Sequence, residues 1–222
     1  MKLDLKFKEN AQRLDLGFGQ YQDLTDGGYE RGYADGYADG KPKNGVEYVE
    51  LNTDGVVTKA KVYGTPQPYQ FYQNARLVEV EFADEITIIP NSFFYGCISL
   101  PFVLPTTVTV LEAGAYREMK QLQHITLHEG LTSIGNGTFY NTKLVEVTLP
   151  STIENIDHNA FGNINTLKTV TFLGTPKTIG TCFSSASGTA ITDVYVPWSE
   201  GAVKNAPWGA VNATIHYNSE AG

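Results

Sequence analysis

Two histidines four residues apart, His124 and His128, are the first place to look for chemistry in this chain. On a helix that spacing would set both imidazoles on one face and offer half of a zinc site. The residues between them, Ile125-Thr126-Leu127, alternate as a strand does. A spacing of four along a strand separates side chains by roughly 13 Å, too far to share a metal. Ser99, Ser133, Ser184 and Ser187 lack the Gly-x-Ser-x-Gly elbow of a nucleophilic serine, and no glycine loop followed by Lys-Ser/Thr offers a phosphate cradle. The carboxylate pair Glu79 and Glu81 reads as solubilising on a repetitive exposed surface. The two cysteines are far apart, and Cys97 lies in Tyr95-Gly96-Cys97-Ile98, where a small buried residue fits; it reads as a free buried thiol, not part of a disulfide framework. The expectation is a non-enzymatic chain with no cofactor, metal or catalytic residue.

What positions these residues is a phrase of 22 to 24 residues that recurs five times between Leu77 and Val196. From Leu144 it runs Leu144-x-x-Val147-x-Leu149-Pro150, then Ile153, Ile156 and Phe161. Neighbouring copies open at Leu122 (Ile125, Leu127, Leu131, Ile134, Phe139) and at Leu167 (Val170, Phe172, Ile179, Phe183). The earliest clear copy opens at Leu77 with Val80, Phe82, Ile86, Ile89 and Phe94. A unit this short cannot bury its own apolar face, so it must stack on copies of itself. Its Leu-x-x-Val-x-Leu elements predict parallel strands about 4.8 Å apart, and five repeats plus a sixth strand at Ile191, Val194 and Val196 span about 25 Å. One repeat is short by a residue at Leu100-Pro101-Phe102-Val103-Leu104-Pro105. Aligning Leu104-Pro105 with Leu149-Pro150 puts Phe102, Leu104, Val108, Leu111 and Tyr116 inside, with a local kink and no register change. The returning half of each repeat, Ile153 to Phe161 for example, reads either as a short strand and turn or as a helical turn.

The flanks divide the remainder. Residues 1–43 open with alternating Leu3, Leu5 and Phe7, a half-exposed strand pattern. They continue into Gly-Tyr tetrads in which Tyr29, Gly32, Tyr33, Gly36, Tyr37 and Gly40 recur every fourth residue. On a helix the glycines and tyrosines would form adjacent stripes able to dock on a sister chain. The same residues also suit a flexible, tyrosine-bearing linker; calcium binding by Asp35 and Asp39 lacks the dense carboxylate loop that ion needs. Residues 44–76 hold two apolar runs around Asn52-Thr53-Asp54-Gly55, a hairpin signal, expected to cap the first coil before a lead-in at Thr65 to Asn74. Residues 77–196 form the stack, and residues 197–222 a second cap, with Trp198 and Trp208 as lids over the last coil.

Composition narrows the partners. The chain has 222 residues, 41% of them hydrophobic, 13 Tyr and 11 Phe, and a formal charge of −8. That charge disfavours nucleic acid, whose phosphates require clustered Lys and Arg. No apolar run reaches the ~20 residues of a bilayer span, so membrane insertion is not expected. The N-terminus alternates charge where a secretion signal needs an unbroken apolar stretch, so Sec export of the chain as written is not expected.

Outward positions of the predicted strands form two ladders. One runs Glu79, Pro101, His124, Glu146, Thr169 and Asp193; the other runs Glu81, Val103, Thr126, Thr148, Thr171 and Tyr195. The first is acidic and polar, the second dominated by threonine. Either they reflect β-propensity and solubility alone, or they form a shallow face for a protein or glycan.

The phrase Leu-x-x-Val-x-Leu-Pro-x-x-Ile-x-x-Ile-x-x-x-Ala-Phe resembles the BspA-like leucine-rich repeats of bacterial surface proteins, best in Leu144 to Phe161 and in Leu122 to Phe139. The resemblance implies a mainly β solenoid with short helical turns, parallel strands and an N-terminal hairpin cap, and relatives described broadly as adhesins or surface antigens. The flanks resemble minor structural proteins of tailed bacteriophages and prophages: Leu3-Asp4-Leu5-Lys6-Phe7-Lys8-Glu9, the Gly-Tyr tetrads, and Val196-Pro197-Trp198-Ser199-Glu200-Gly201 through Ile215-His216-Tyr217-Asn218. That second resemblance implies a non-catalytic virion protein, assembled in the host cytoplasm, whose residues 1–43 attach to other virion proteins or sister chains. The alternative is a host-encoded adhesin at the bacterial surface.

Overall fold

The computed structural model describes the backbone of 13–15, 21–23, 37–38, 41–42, 45–51 and 57, and residues 58–83, 86–98, 104–184 and 190–219 with their side chains. Two short antiparallel pairs come first: β1 (Arg13–Asp15) with β2 (Tyr21–Asp23), and β3 (Tyr37–Ala38) with β4 (Lys41–Pro42). Tyr37 is therefore extended, and a helical Gly-Tyr stripe does not reach the last tetrad. Tyr29, Gly32, Tyr33, Gly36 and Gly40 lie outside the described residues, as does the strand expected at Leu3 to Phe7.

The hairpin is present. β5 (Gly45–Leu51) pairs antiparallel with β6 (Val57–Tyr63), around the Asp54-Gly55 signal. β6 then pairs parallel with β7 (Glu79–Phe82), so the hairpin covers the first strand edge of the stack. From there each coil contributes up to two strands. The narrow ones are β8 (Ile88–Ile89), β9 (Val110–Leu111), β10 (Ser133–Ile134), β12 (Asn155–Ile156) and β14 (Thr178–Ile179), and they form a five-stranded parallel sheet. The wide ones are β11 (Glu146–Leu149), β13 (Thr169–Phe172), β15 (Asp193–Tyr195) and β16 (Thr214–His216), parallel in that order. Burial alternates along β11 and β13, with Val147, Leu149, Val170 and Phe172 inward, as the period-2 reading requires. The returning half is thus a two-residue strand and a turn; no helix occurs among the described residues.

The turns form a third wall. In 92–97 alternate N–H groups serve two purposes: Ser92, Phe94 and Gly96 donate to Ala113, Ala115 and Arg117 of the next coil at 2.8–3.0 Å, while Phe93, Tyr95 and Cys97 fold back three residues. Between these bonds one aromatic per coil points inward. Phe71, Phe94, Tyr116, Phe139, Phe161 and Phe183 follow one another with centroids 5.2–5.9 Å apart. The core is this ladder flanked by the aliphatic columns of both sheets. Leu104, Val108, Leu111 and Tyr116 are buried as aligned, while the expected kink falls at residues outside the described set.

Both ends extend further than the repeat phrase indicates. Tyr69, Phe71 and Gln73 donate N–H groups to Asn91, Phe93 and Tyr95, so Thr65 to Asn74 is itself the turn of a coil. At the other end Phe183 N–H donates to Trp208 O, and β16 adds a strand beyond Val196. Trp198 and Trp208 are buried against Phe172 within this added coil, so they are its core as well as a lid.

Candidate recognition surface

The expected outward ladders prove to be several different surfaces. At the N-terminal end Glu79 pairs with Lys59 at 3.3 Å and Glu81 with Lys61, both lysines on β6. The hairpin therefore neutralises what the sequence presents as bare carboxylates. Glu81 holds the Lys61 ammonium above its ordinary pKa through that hydrogen bond. Pro101 and Val103 lie outside the described residues.

His124 and Thr126 are exposed but not on a strand. No backbone hydrogen bond joins 124–127 to β11, and a shallow cleft of about 340 Å3 is lined by His124, Ile125, Thr126, Leu127, Glu146, Val147 and Thr148. The two histidines do not share a site. His128 turns between coils, its Nε2 2.8 Å from Pro105 O and its Nδ1 2.8 Å from Glu129 O.

From β11 onward the face is continuous. Glu146, Thr169, Asp193 and Thr214 are register partners, as are Thr148, Thr171, Tyr195 and His216. The sequence reading did not extend the two ladders to Thr214 and His216, because the Trp-containing segment breaks the repeat phrase before them. Asp193 Oδ1 accepts from His216 Nε2 at 2.7 Å and its Oδ2 from the Thr192 hydroxyl at 2.8 Å. The His216 bond first, then the hydroxyl, holds the Asp193 carboxyl below its usual range. Tyr195 stacks on the His216 ring, centroids 4.4 Å apart and 11° from parallel. This end of the face is thus a fixed aromatic-carboxylate cluster beside a threonine column.

A second surface was missed altogether. On the turn wall Tyr72 stacks on Tyr95 at 4.6 Å, and the Arg117 guanidinium lies 4.1 Å from the Tyr140 ring centre, forming a half-exposed aromatic and cationic stripe. Its signal in the sequence was a tyrosine or arginine directly following the buried rings Phe71, Phe94, Tyr116 and Phe139. A groove of about 380 Å3 on the narrow sheet holds Asp157 and His158, whose Nδ1 meets Thr181 Oγ1 at 2.8 Å. No group of three metal-ligating side chains occurs among the described residues. Cys97 and Cys182 are free and buried; burial pushes the Cys97 thiol up to about 12 and raises Cys182 further.

This arrangement of coils agrees with a family comparison. Six copies of the BspA type leucine rich repeat region match residues 65–188, more than half of the chain. The chain belongs to the BspA-type leucine-rich repeat family. The match begins at Thr65, where the structure places the turn of the first coil. Among solved structures, a leucine-rich repeat protein from Bacteroides ovatus ATCC 8483 is similar at 17% identity and a TM-score of 0.45. The alignment covers 65% of this chain and 50% of that one, so the BspA-type chain spans half the length of that relative. No curated protein matches the chain. A leucine-rich repeat fold is an interaction fold, and the surfaces above are built from strand and turn positions that such a fold leaves free. No helix among the described residues is long and apolar enough to cross a membrane.

Proposed function

We propose that this protein is a non-catalytic recognition module that binds a protein or a cell-surface glycan on the face formed by β11, β13, β15 and β16. The observation that carries this reading is the register of that face. Four parallel strands hold Thr148, Thr171, Tyr195 and His216 in one column and Glu146, Thr169, Asp193 and Thr214 in the other. Side chains fixed by a sheet lose little freedom on binding, and hydroxyls beside an aromatic pair suit a polar ligand with an apolar patch. Thr148→Lys with Thr171→Lys places two long cations in the middle of the column without touching the core. Loss of binding in a glycan array and in a pull-down on intact bacterial cells is the expected result. Unchanged binding in both would exclude this face.

Within that reading we place the protein in the virion of a phage or prophage, on the resemblance of both flanks to tailed-phage structural proteins. Residues 1–43, including Tyr29, Gly32, Tyr33, Gly36, Tyr37 and Gly40, would join it to the particle or to sister chains. The second reading is a host-encoded surface adhesin, favoured by the repeat phrase itself. Mass spectrometry of purified particles against cell-wall fractions separates the two.

A further inference from the structure

The turn wall carries a charge opposite to that of the chain. In its segments 69–76, 91–98, 113–121, 136–143 and 158–166 the cations are Arg76, Arg117, Lys120 and Lys143, against one carboxylate, Glu118. The whole chain has a formal charge of −8. Glu118 is already engaged: Lys120 Nζ donates to its Oε2 at 2.6 Å, and Asn141 Nδ2 lies 2.9 and 2.8 Å from its two oxygens. At the corner shared with the narrow sheet, Glu112 and Asp157 accept the backbone N–H groups of Asn91 and His158 at 2.9 and 2.7 Å. Lys143 Nζ donates to the neutral Asn165 side chain at 2.9 Å. Neither Lys143 nor Arg117 has a carboxylate partner among the described residues. Two cations thus stand unneutralised on an acidic molecule.

The turn hydrogen bonds set these cations in line with the exposed rings. Gln73, Gly96, Glu118 and Asn141 donate N–H groups to the carbonyls of Tyr95, Arg117, Tyr140 and Gly162, so Tyr72, Tyr95, Arg117, Tyr140 and Gly162 form one column. Three residues further along each turn, Ile98, Lys120 and Lys143 form a second. Tyr72 and Tyr95 stack at 4.6 Å, Tyr69 tilts against Tyr72 at 5.8 Å, and Arg117 covers Tyr140 at 4.1 Å. Gly162 lies against the same Tyr140 ring, where a Cβ would come within 2.9 Å of Cδ2. A neutral sugar docks flat on a free ring face, and these faces are turned toward their neighbours. Edges and hydroxyls are left outermost, and a ring edge is the positive end of the aromatic quadrupole. Edges and cations together favour a carboxylate. Tyr69 and Ile98, 48% and 42% exposed, add an apolar patch at one end. Tyrosine and arginine held in place before binding are what protein interfaces favour.

We propose that the turn wall is a second binding surface, which takes an extended acidic peptide of a partner protein. An apolar side chain of the peptide rests on Tyr72, Tyr95 and Ile98, and two carboxylates follow it onto Arg117 and Lys143. The spacing suits such a chain. Coils step by about 4.8 Å, so Arg117 lies roughly 5–10 Å and Lys143 roughly 10–14 Å from the Tyr72–Tyr95 pair. In an extended peptide the second and fourth residues after a given one lie on its side at about 7 and 13 Å. Elsewhere the negative charge of the molecule repels an acidic partner, which directs it to this wall. The surface is separate from the face of β11, β13, β15 and β16, and neither depends on the other.

The test is fluorescence anisotropy on the full chain with a labelled peptide, Gly-Phe-Ser-Asp-Ser-Asp-Gly. Saturable binding is expected, weakened at least about tenfold when asparagine replaces both aspartates. Arg117→Gln with Lys143→Gln should weaken it by a similar factor, and Tyr95→Ala by at least about fivefold. Each variant should keep the wild-type circular dichroism, since the altered side chains lie on the surface. Thr148→Lys with Thr171→Lys should leave peptide binding unchanged, which separates this wall from the wide face. A chain that ignores the peptide at millimolar concentration overturns the proposal. Equal binding of the asparagine peptide overturns it too, as does binding indifferent to the Arg117 and Lys143 changes. If Tyr95→Ala has no effect while the charge changes do, the contact is diffuse attraction and no built surface exists. Capture of polygalacturonate in place of the peptide refutes a protein partner and assigns the wall to an anionic glycan.

Discussion

Gly174 shows how little slack the coils leave at single positions. A Cβ added there would meet Ser151 of the preceding coil, 2.7 Å from its Cα, and a backbone atom cannot swing aside as a side-chain tip can. Gly174→Ala should therefore destabilise the fold by about 2 kcal/mol, in the range of other overpacked sites, as read from urea denaturation. A loss below about 0.5 kcal/mol would mean that the coil spacing opens easily. Acid sensitivity is expected where carboxylates bridge coils, as Glu129 and Asp193 do. Glu129 is held below its ordinary range first by the Ser151 N–H, and also by the Ser151 hydroxyl and Thr152 N–H; Asp193 is held down first by His216. Both folded-state pKa values are depressed. Their stabilisation is thus complete above the unfolded values, about 4.3 for Glu and 3.9 for Asp, and is lost as pH falls through the lower folded ones. The wild-type urea midpoint should drop below about pH 4.5, and Glu129→Gln with Asp193→Asn should flatten that limb. A parallel decline in both proteins would place the acid sensitivity elsewhere. At this scale the sequence was readable where a residue acts through type and period, as with the buried thiol of Cys97. It was silent where a partner comes from another coil. Nothing around Glu79 announces Lys59, and nothing near Asp193 announces His216. The left-handed pairs Gly137/Asn141 and Asn159/Asn163 were a legible signal that went unread: residues tolerant of positive φ, four apart, bracket the buried rings Phe139 and Phe161.

Among the elements, the aromatic ladder was the most legible. Phe139 is fully buried, with Tyr116 at 5.4 Å on one side and Phe161 at 5.2 Å on the other. Phe139→Ala removes both stacks and leaves a cavity between coils whose backbones are tied together on either side of it. The expected loss is about 3–5 kcal/mol by denaturant titration, with Phe139→Leu recovering much of it. A loss near 1 kcal/mol would show that neighbouring coils collapse into the space. The strands were less legible than the rings. Leu122-x-x-Ile125-x-Leu127 carries the same phrase as Leu144-x-x-Val147-x-Leu149, yet only the second becomes a strand. The difference lies outside each phrase. β11 finds a full partner in β13, whereas 124–127 faces an edge whose closing donor is replaced by Pro150. Period-2 alternation reports which face a residue takes, not whether the next coil supplies the hydrogen bonds. The narrow strands were ambiguous for a related reason, since two residues are too few to show any period.

The whole molecule is close to one-dimensional: each coil touches mainly its neighbours, so its stability is a chain of interfaces rather than one common core. The sequence conveyed this through the repeat, but it misjudged the ends. The Trp-bearing segment and Thr65 to Asn74 depart from the phrase while still contributing turn hydrogen bonds and buried rings to the stack. The two tryptophans provide a means to test the linear coupling, because both lie in the last coil beside Phe172. Tryptophan emission therefore follows the C-terminal end, while far-UV circular dichroism follows every strand. In the wild-type protein the unbroken ladder from Phe71 to Phe183 should couple the ends, and both signals should change together in guanidinium chloride. Phe139→Ala cuts the ladder near its middle. The C-terminal coils should then unfold as a separate unit, so the emission transition moves away from that of the dichroism and the apparent cooperativity of the latter falls. If the two transitions shift equally and remain superimposed, the coils share their stability globally, and the nearest-neighbour description fails.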